Sequence, residues 1–321
     1  MFNSTHTLAG LALARVGLDR RTPYALWTAA IAANLPDIDI VYAFDSTAAY
    51  LQHHRGITHA LVSLPVLSLA LAVAMYYFTR LRGKPRVPLV NYFVLALAAM
   101  ATHPLLDLAN NYGIRLFLPF SQAWSYGDTL FIIDPYLDAI LFATVIATYL
   151  WRSRTMMTAI AGISLALAYI GVRFELRNMA TAQLATHLPS VSALRQYAAL
   201  PQMMNPLVWT GMVETETAMS NFSIDLLSHE VSLESSMSTP APSAAVVAAR
   251  STYTGRVFDG FARFPVAVVE EQPEGFNVLL IDYRFYRRSI GTALAAEIRL
   301  DRSLRVLSES MSFTKPISPN P

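Results

Sequence analysis

Cysteine is absent from the 321 residues, so the chain has no disulfide, no thiolate metal ligand and no cysteine nucleophile. Any metal site must be built from His, Asp, Glu or backbone oxygen. Charge is scarce as well. Only 14% of residues are Asp, Glu, Lys or Arg, against about 25% in a soluble domain. The formal net charge is +2 with no dense Lys/Arg block, which leaves nucleic-acid binding without an electrostatic footprint; no nucleic-acid partner is expected. There is no internal repeat and no Gly-rich phosphate loop. No Lys or Arg precedes the short apolar run at 1–14, so a cleaved signal peptide is not expected.

What the chain has instead is apolar length: 54% of its residues are hydrophobic. A bilayer core needs about 20 apolar residues in a helix. The runs at 57–78 and 155–172 meet this outright. Those at 88–106, 130–151 and 22–44 meet it if His103, Asp134 with Asp138, and Asp37 with Asp39 lie near their ends. The run at 5–16 is shorter, either a tilted crossing or an interfacial helix. The expected fold is an α-helical polytopic membrane domain at 1–175, with about five to six membrane helices, followed by a small mainly-β soluble domain at 176–321. Within the second half, 175–202 is polar and reads as helical. The Ser/Ala/Pro-rich segment at 232–249 reads as a flexible loop. Runs within 205–227 and at 253–261, 266–270, 275–285, 293–300 and 304–313 read as strands of an antiparallel sheet.

The basic residues sort to one end of these helices. Arg15, Arg20 and Arg21 form one cluster, Arg80, Arg82, Lys84 and Arg86 a second, and Arg152 with Arg154 a third. Simple alternation puts all three on one side, which the positive-inside rule makes cytoplasmic. The opposite, outer side then receives Asp37, Asp39, His53, His54, His59, His103 and Asp107. His6 joins them if 5–16 crosses, and the soluble half emerges there too.

His103 and Asp107 are four residues apart, on one helix face. That spacing suits either one metal ion or a helix-tying hydrogen bond, but ionisable groups inside membrane spans are expensive and commonly functional. In HHRGITHA, Gly56 allows a turn, so His54 and His59 flank a helix start, and Arg55 between them suits a phosphate or carboxylate. In NLPDIDI, Pro36 disfavours helix at Leu35, which puts Asp37 and Asp39 at a break. One can ligate metal, and the other can bridge or act as general base. His6 follows Ser4 and Thr5, both N-cap types. Asn110, Asn111, Arg115, Asp128 and Asp134 are supporting candidates, with Arg115 the best suited to an anionic substrate. The expected ligands are thus His6, Asp37, His54, His59, His103 and Asp107. Asp39, Arg55 and Arg115 serve catalysis. The cofactor is a divalent metal, zinc with manganese as the alternative, in unspecified number.

These motifs, TH-x3-G (Thr5, His6, Gly10), LPDID (35–39), HRGITH (54–59) and HPLLD (103–107), resemble a family of bacterial inner-membrane-associated, metal-dependent hydrolases also described as LexA-binding. Ala60 stands where a serine is expected. The resemblance covers 1–135, and extends loosely through Asn205-Pro206-x2-Trp209 and Asp282-Tyr283-Arg284. It implies a polytopic protein with a zinc-type hydrolase site. The His/Asp order is also similar to that of zinc-dependent phospholipases C, an analogy that suggests a phosphoester of a membrane lipid or lipid-linked molecule as substrate. Two other readings stand beside it: a metal- or proton-handling transporter, and a membrane anchor that displays the C-terminal module.

Overall fold

The computed structural model describes residues 1–188, 194–287 and 291–315. They pack as two units. The first comprises Met1–Asp39, Arg55–Met179 and Leu200–Trp209, and the second Ile40–His54, Ala180–Ala199 and Thr210–Pro321.

The first unit is helical. Its elements are α1 (Asn3–Ala14), α2 (Ala25–Asn34), α4 (Ser63–Leu81), α5 (Leu89–Ala109), α6 (Pro135–Leu150) and α7 (Thr155–Ala185), with α3 (Thr47–His53) falling in the second unit. Among the described residues, three segments are long and apolar enough to cross a membrane: Ser63–Leu81, Leu89–Ala109 and Arg152–Ala185; Pro135–Leu150 is a shorter apolar helix. The apolar run at 22–44 is not one helix. α2 ends at Asn34, and a 3-10 segment, Leu35–Phe44, takes over. Pro36 has no N–H with which to continue the α-helical ladder.

α1 packs against α2, α5 and α6, and α4 packs on α5. Close approach of α1 to α2 depends on Gly10. A Cβ there would lie 2.7 Å from Ala33 Cβ and 2.9 Å from the Ala29 carbonyl oxygen. Ala14, Ala25, Ala29, Ala32, Ala96 and Ala99 continue this small-residue packing, the means by which membrane helices gain van der Waals contact. Thr5 Oγ1 donates to Asp138 Oδ1 at 2.6 Å and ties α1 to α6. α6 begins with Asp134 as N-cap, accepting from the Tyr136 and Leu137 amides, and Pro135 at the first helical position. The Asn205–Trp209 motif is structural: Arg173 of α7 donates to the Pro206 carbonyl at 2.5 Å and lies 4.6 Å from the Trp209 ring centroid.

The remaining fold is mainly β. One sheet has the order β1 (Leu194–Pro201), β2 (Val208–Thr215), β3 (Ala218–Asp225), β4 (Glu230–Ser238). The other has the order β5 (Pro265–Gln272), β6 (Gly275–Asp282), β8 (Gly291–Asp301), β7 (Tyr286–Arg287), with β9 (Val306–Lys315) also on β8. Its β5–β6 and β8–β9 pairs are antiparallel. α8 (Ala244–Arg250) and α9 (Tyr253–Phe261) pack on this sheet, and α3 packs on α9.

Three sequence expectations change here. The run at 253–261 is helix α9 rather than a strand. Its buried Thr254, Phe258 and Phe261 recur at helical spacing, and the Thr252 hydroxyl caps it by accepting from Gly255 N. The segment at 232–249, expected as a loop, holds most of β4 and of α8, which Ser243 caps. The stretch at 175–202 is helical only to Ala185, then forms β1 from Leu194; its residues 189–193 lie outside the described residues. The Asp282-Tyr283-Arg284 motif is a buried brace. Asp282 Oδ2 accepts from Arg284 Nη2 at 2.6 Å and from the Arg263 amide at 2.9 Å, with both charged side chains fully buried.

Candidate metal centre

Five ligand-type side chains converge inside the first unit. α1 brings His6, the 3-10 segment after α2 brings Asp37, a one-turn 3-10 helix (Ile57–His59) brings His59, and the last turns of α5 bring His103 and Asp107. All but Asp37 are at most 1% exposed, and Asp37 is 19% exposed. Pro104, between the two α5 ligands, removes one amide from the helical ladder at the site.

The distances suit an ion. Asp37 Oδ1 lies 3.3 Å from His59 Nε2 and 3.5 Å from His103 Nε2. Asp107 Oδ2 lies 3.7 Å and 3.5 Å from the same two nitrogens, and the nitrogens are 3.1 Å apart. Ligands ~2.1 Å from a tetrahedral ion sit roughly 3.4 Å from each other. His6 Nε2 lies 3.5 Å from Asp107 Oδ1, and its ring stacks on His103 with centroids 3.6 Å apart.

The hydrogen-bond chemistry points the same way. His103 Nδ1 is 2.7 Å from the Ala33 carbonyl, which can only accept, so Nδ1 carries a proton and Nε2 is the nitrogen that can turn a lone pair to an ion. His59 Nδ1 lies 3.3 Å from Asp39 Oδ2, and the same logic turns its Nε2 lone pair inward. The two imidazole Nε2 atoms thus lie among the carboxylates of Asp37 and Asp107, all four groups of the kind that ligate a metal. Among the described residues, neither ring nitrogen of buried His6 has a hydrogen bond of good geometry, Nε2 lying 3.5 Å from Asp107 Oδ1. A divalent cation suits either of the two overlapping sets, His6/Asp37/His103 and His59/His103/Asp107, and backbone or carboxylate partners on the far ring nitrogens are the usual support of metal-bound histidines. The residues fit a divalent metal.

Around this core the structure sorts the other expected site residues. Asp39 is 2% exposed. It sits behind His59, its Oδ2 also accepting from the Arg55 amide at 3.1 Å and the Thr58 hydroxyl at 3.2 Å. Arg55 was expected to present its guanidinium to substrate, but it is buried and turned inward. It donates to Asp107 Oδ1 at 3.0 Å, Asn110 Oδ1 at 3.0 Å and the Gly113 carbonyl at 3.1 Å, and stacks over Tyr112. Its backbone adopts φ +53°, the left-handed region that non-glycine residues seldom occupy. Arg115 lies in the loop after α5 with its guanidinium over Trp124; burial lowers its pKa, and Asp39 opposes that shift. His54 caps the C-terminus of α3 and stacks on Tyr50 with centroids 4.6 Å apart, both in the second unit.

Sequence reasoning missed several contributors. Thr58 Oγ1 lies 3.0 Å from His59 Nδ1. Tyr112 and the Ala33 carbonyl had no signal of their own, since a backbone oxygen or a lone aromatic acquires a role only through tertiary contact. Asn110, named only as a supporting candidate, bridges Arg55 and Asp107.

The sequence matches the family described as YdjM inner membrane protein over residues 1–180. It is similar to the uncharacterized protein YfhP of Bacillus subtilis (strain 168), with 27% identity over 157 residues. That match covers 46% of this chain and 46% of the relative, so the chain spans just under half the length of the curated relative it matches. No solved structure matches.

Proposed function

The chain belongs to the YdjM inner membrane protein family, and we propose that its buried His/Asp centre makes it a membrane-bound, metal-dependent hydrolase acting on a phosphoester of a lipid or lipid-linked molecule. The observation that carries this reading is the convergence of His6, Asp37, His59, His103 and Asp107, whose ligand atoms cluster as two overlapping sets, His6/Asp37/His103 and His59/His103/Asp107. When bound, a divalent ion, zinc with manganese as the alternative, supplies Lewis-acid polarisation and lowers the pKa of water.

The chain's own residues do the rest. The Ala33 carbonyl and Asp39 fix the tautomers of His103 and His59. Arg55 holds Asp107 in place and pins the loop through Asn110 and Gly113. Asp37, the most exposed of the five, marks the side from which water and substrate arrive and is the carboxylate placed to take a proton. Arg115, on its Trp124 platform, is the arm for the substrate anion. The apolar side chains interleaved with these residues favour an amphiphile: Ile38, Ile57 and Leu105 are half or more exposed, as are Phe117 and Phe120 just past Arg115. Lipid chains would meet this rim while the headgroup meets the charged centre. The topology reading places the centre on the periplasmic face, and the count of five to six crossings adds α1, the α2 segment and α6 to the three long spans.

The test is hydrolysis by the full-length protein in detergent, loaded with zinc or manganese, against phospholipids and lipid-linked phosphates. Product release by the wild type that disappears in His103→Ala and Asp37→Asn supports the proposal. A metal-replete, folded protein that releases nothing from the whole panel refutes it.

A further inference from the structure

A second feature of the helical unit lies away from the His/Asp centre and has no part in that chemistry. α6 and α7 splay along one side and leave an open groove of about 830 Å³, within the size range of ligand sites, ~300–1,000 Å³. One wall is Ala139, Ala143 and Ala147, successive turns of α6, and the other is Met157, Ala161 and Leu165 of α7. Each wall runs about 12 Å along its helix. The two helices touch at the groove floor, where a Cβ on Gly162 would lie 2.1 Å from Thr144 Oγ1. That hydroxyl already donates to the Ile140 carbonyl at 2.7 Å, so the floor demands no polar ligand.

The groove is not apolar throughout. It ends at the α6–α7 turn on Trp151, Ser153 and Arg154. Arg152 and Arg154 are exposed, and neither guanidinium has a partner among the described residues. Trp151 is 60% exposed at the same level, where tryptophan sits at a membrane interface. An apolar channel closed by a basic, tryptophan-marked end has the polarity of a lipid: chain along the helices, headgroup at the turn. Basic pockets between membrane helices at the cytoplasmic surface recognise anionic headgroups.

We propose that the α6–α7 groove is a binding site for an anionic phospholipid, with an acyl chain against Ala143 and Ala161 and the headgroup phosphate on Arg154 and Ser153. It is independent of the hydrolase reading, since none of its residues touches the metal centre.

The test uses the full-length protein in detergent, titrated with phosphatidylglycerol or phosphatidylcholine of the same chain length and read by native mass spectrometry. The wild type is expected to retain the anionic lipid at least about fivefold more strongly, the factor that one basic residue contributes near an anionic membrane surface. Arg154→Gln is expected to lose that preference, Arg154→Lys to keep it, and Ala143→Phe to reduce binding of both lipids, with thermal melting confirming that each variant is folded. Equal retention of the two lipids by the wild type overturns the proposal, as does an unchanged preference in Arg154→Gln. So does a wild-type dimer that Ala143→Phe breaks, because the groove is then a helix-docking seam.

Discussion

A side chain at Gly10 would face α2 through Ala33 and Ala29, and Gly10→Ala is expected to weaken metal binding. The added Cβ would meet Ala33 Cβ at 2.7 Å and the Ala29 carbonyl oxygen at 2.9 Å. Ordinary carbon contacts sit at about 3.5–4.0 Å, so α1 must retreat from α2 by about 1 Å. Both obstacles belong to the α2 helix rather than to the end of a flexible side chain, and overpacking of this kind costs about 1–3 kcal/mol. His6 rides on α1 one turn from Gly10, stacked at 3.6 Å on His103. A 1 Å displacement exceeds the ~0.2 Å tolerance of a metal–ligand bond, so affinity should fall about 10–100-fold, the range for disturbed support of a metal ligand. The assay is competitive metal titration of the purified variant in detergent, with circular dichroism to show that helicity is retained. Ala33→Gly added to Gly10→Ala removes the nearer clash and is expected to recover part of the affinity. Unchanged affinity in Gly10→Ala would refute the argument that helix spacing sets the site geometry.

Thr58→Val removes the hydroxyl between His59 Nδ1 and Asp39 Oδ2 and is expected to lower metal affinity about tenfold without loss of fold, measured by the same titration. Arg284→Ala leaves Asp282 buried and unpaired by its main partner; it should destabilise the β fold by about 3–5 kcal/mol, seen as faster proteolysis there, while metal content stays unchanged. Chelation should lower the melting temperature by roughly 5–10 °C, since a ligand at 100 times its Kd contributes about 2.7 kcal/mol to stability; a melting temperature indifferent to chelator would argue against an occupied centre.

The five converging His and Asp residues were legible in the sequence as site candidates, beside His54, because burying a histidine or aspartate in an apolar helix is costly enough to be conspicuous. His103 and Asp107 could be paired from spacing alone, and Pro36 announced the break that carries Asp37 and Asp39. The roles of Arg55 and Asp39 were not legible. Arg55 between two histidines reads as a substrate arm, and only the tertiary fold brings Asn110 and the Gly113 carbonyl within its reach. Asp39 reads as equivalent to Asp37, and only the His59 ring, placed by a one-turn helix, distinguishes them. The apolar run at 22–44 looked like one span because composition ignores the missing amide of Pro36. The run at 253–261 looked like a strand because its few residues fit either period, until the Thr252 cap selects helix.

The central claim is that the His/Asp centre holds a divalent metal, and elemental analysis of detergent-purified protein tests it most directly, with His59→Ala and Asp107→Asn beside the wild type. The account predicts at least one zinc or manganese per wild-type chain, lost in both variants. A folded wild-type preparation that binds no metal, even after zinc and manganese are added back, would contradict it.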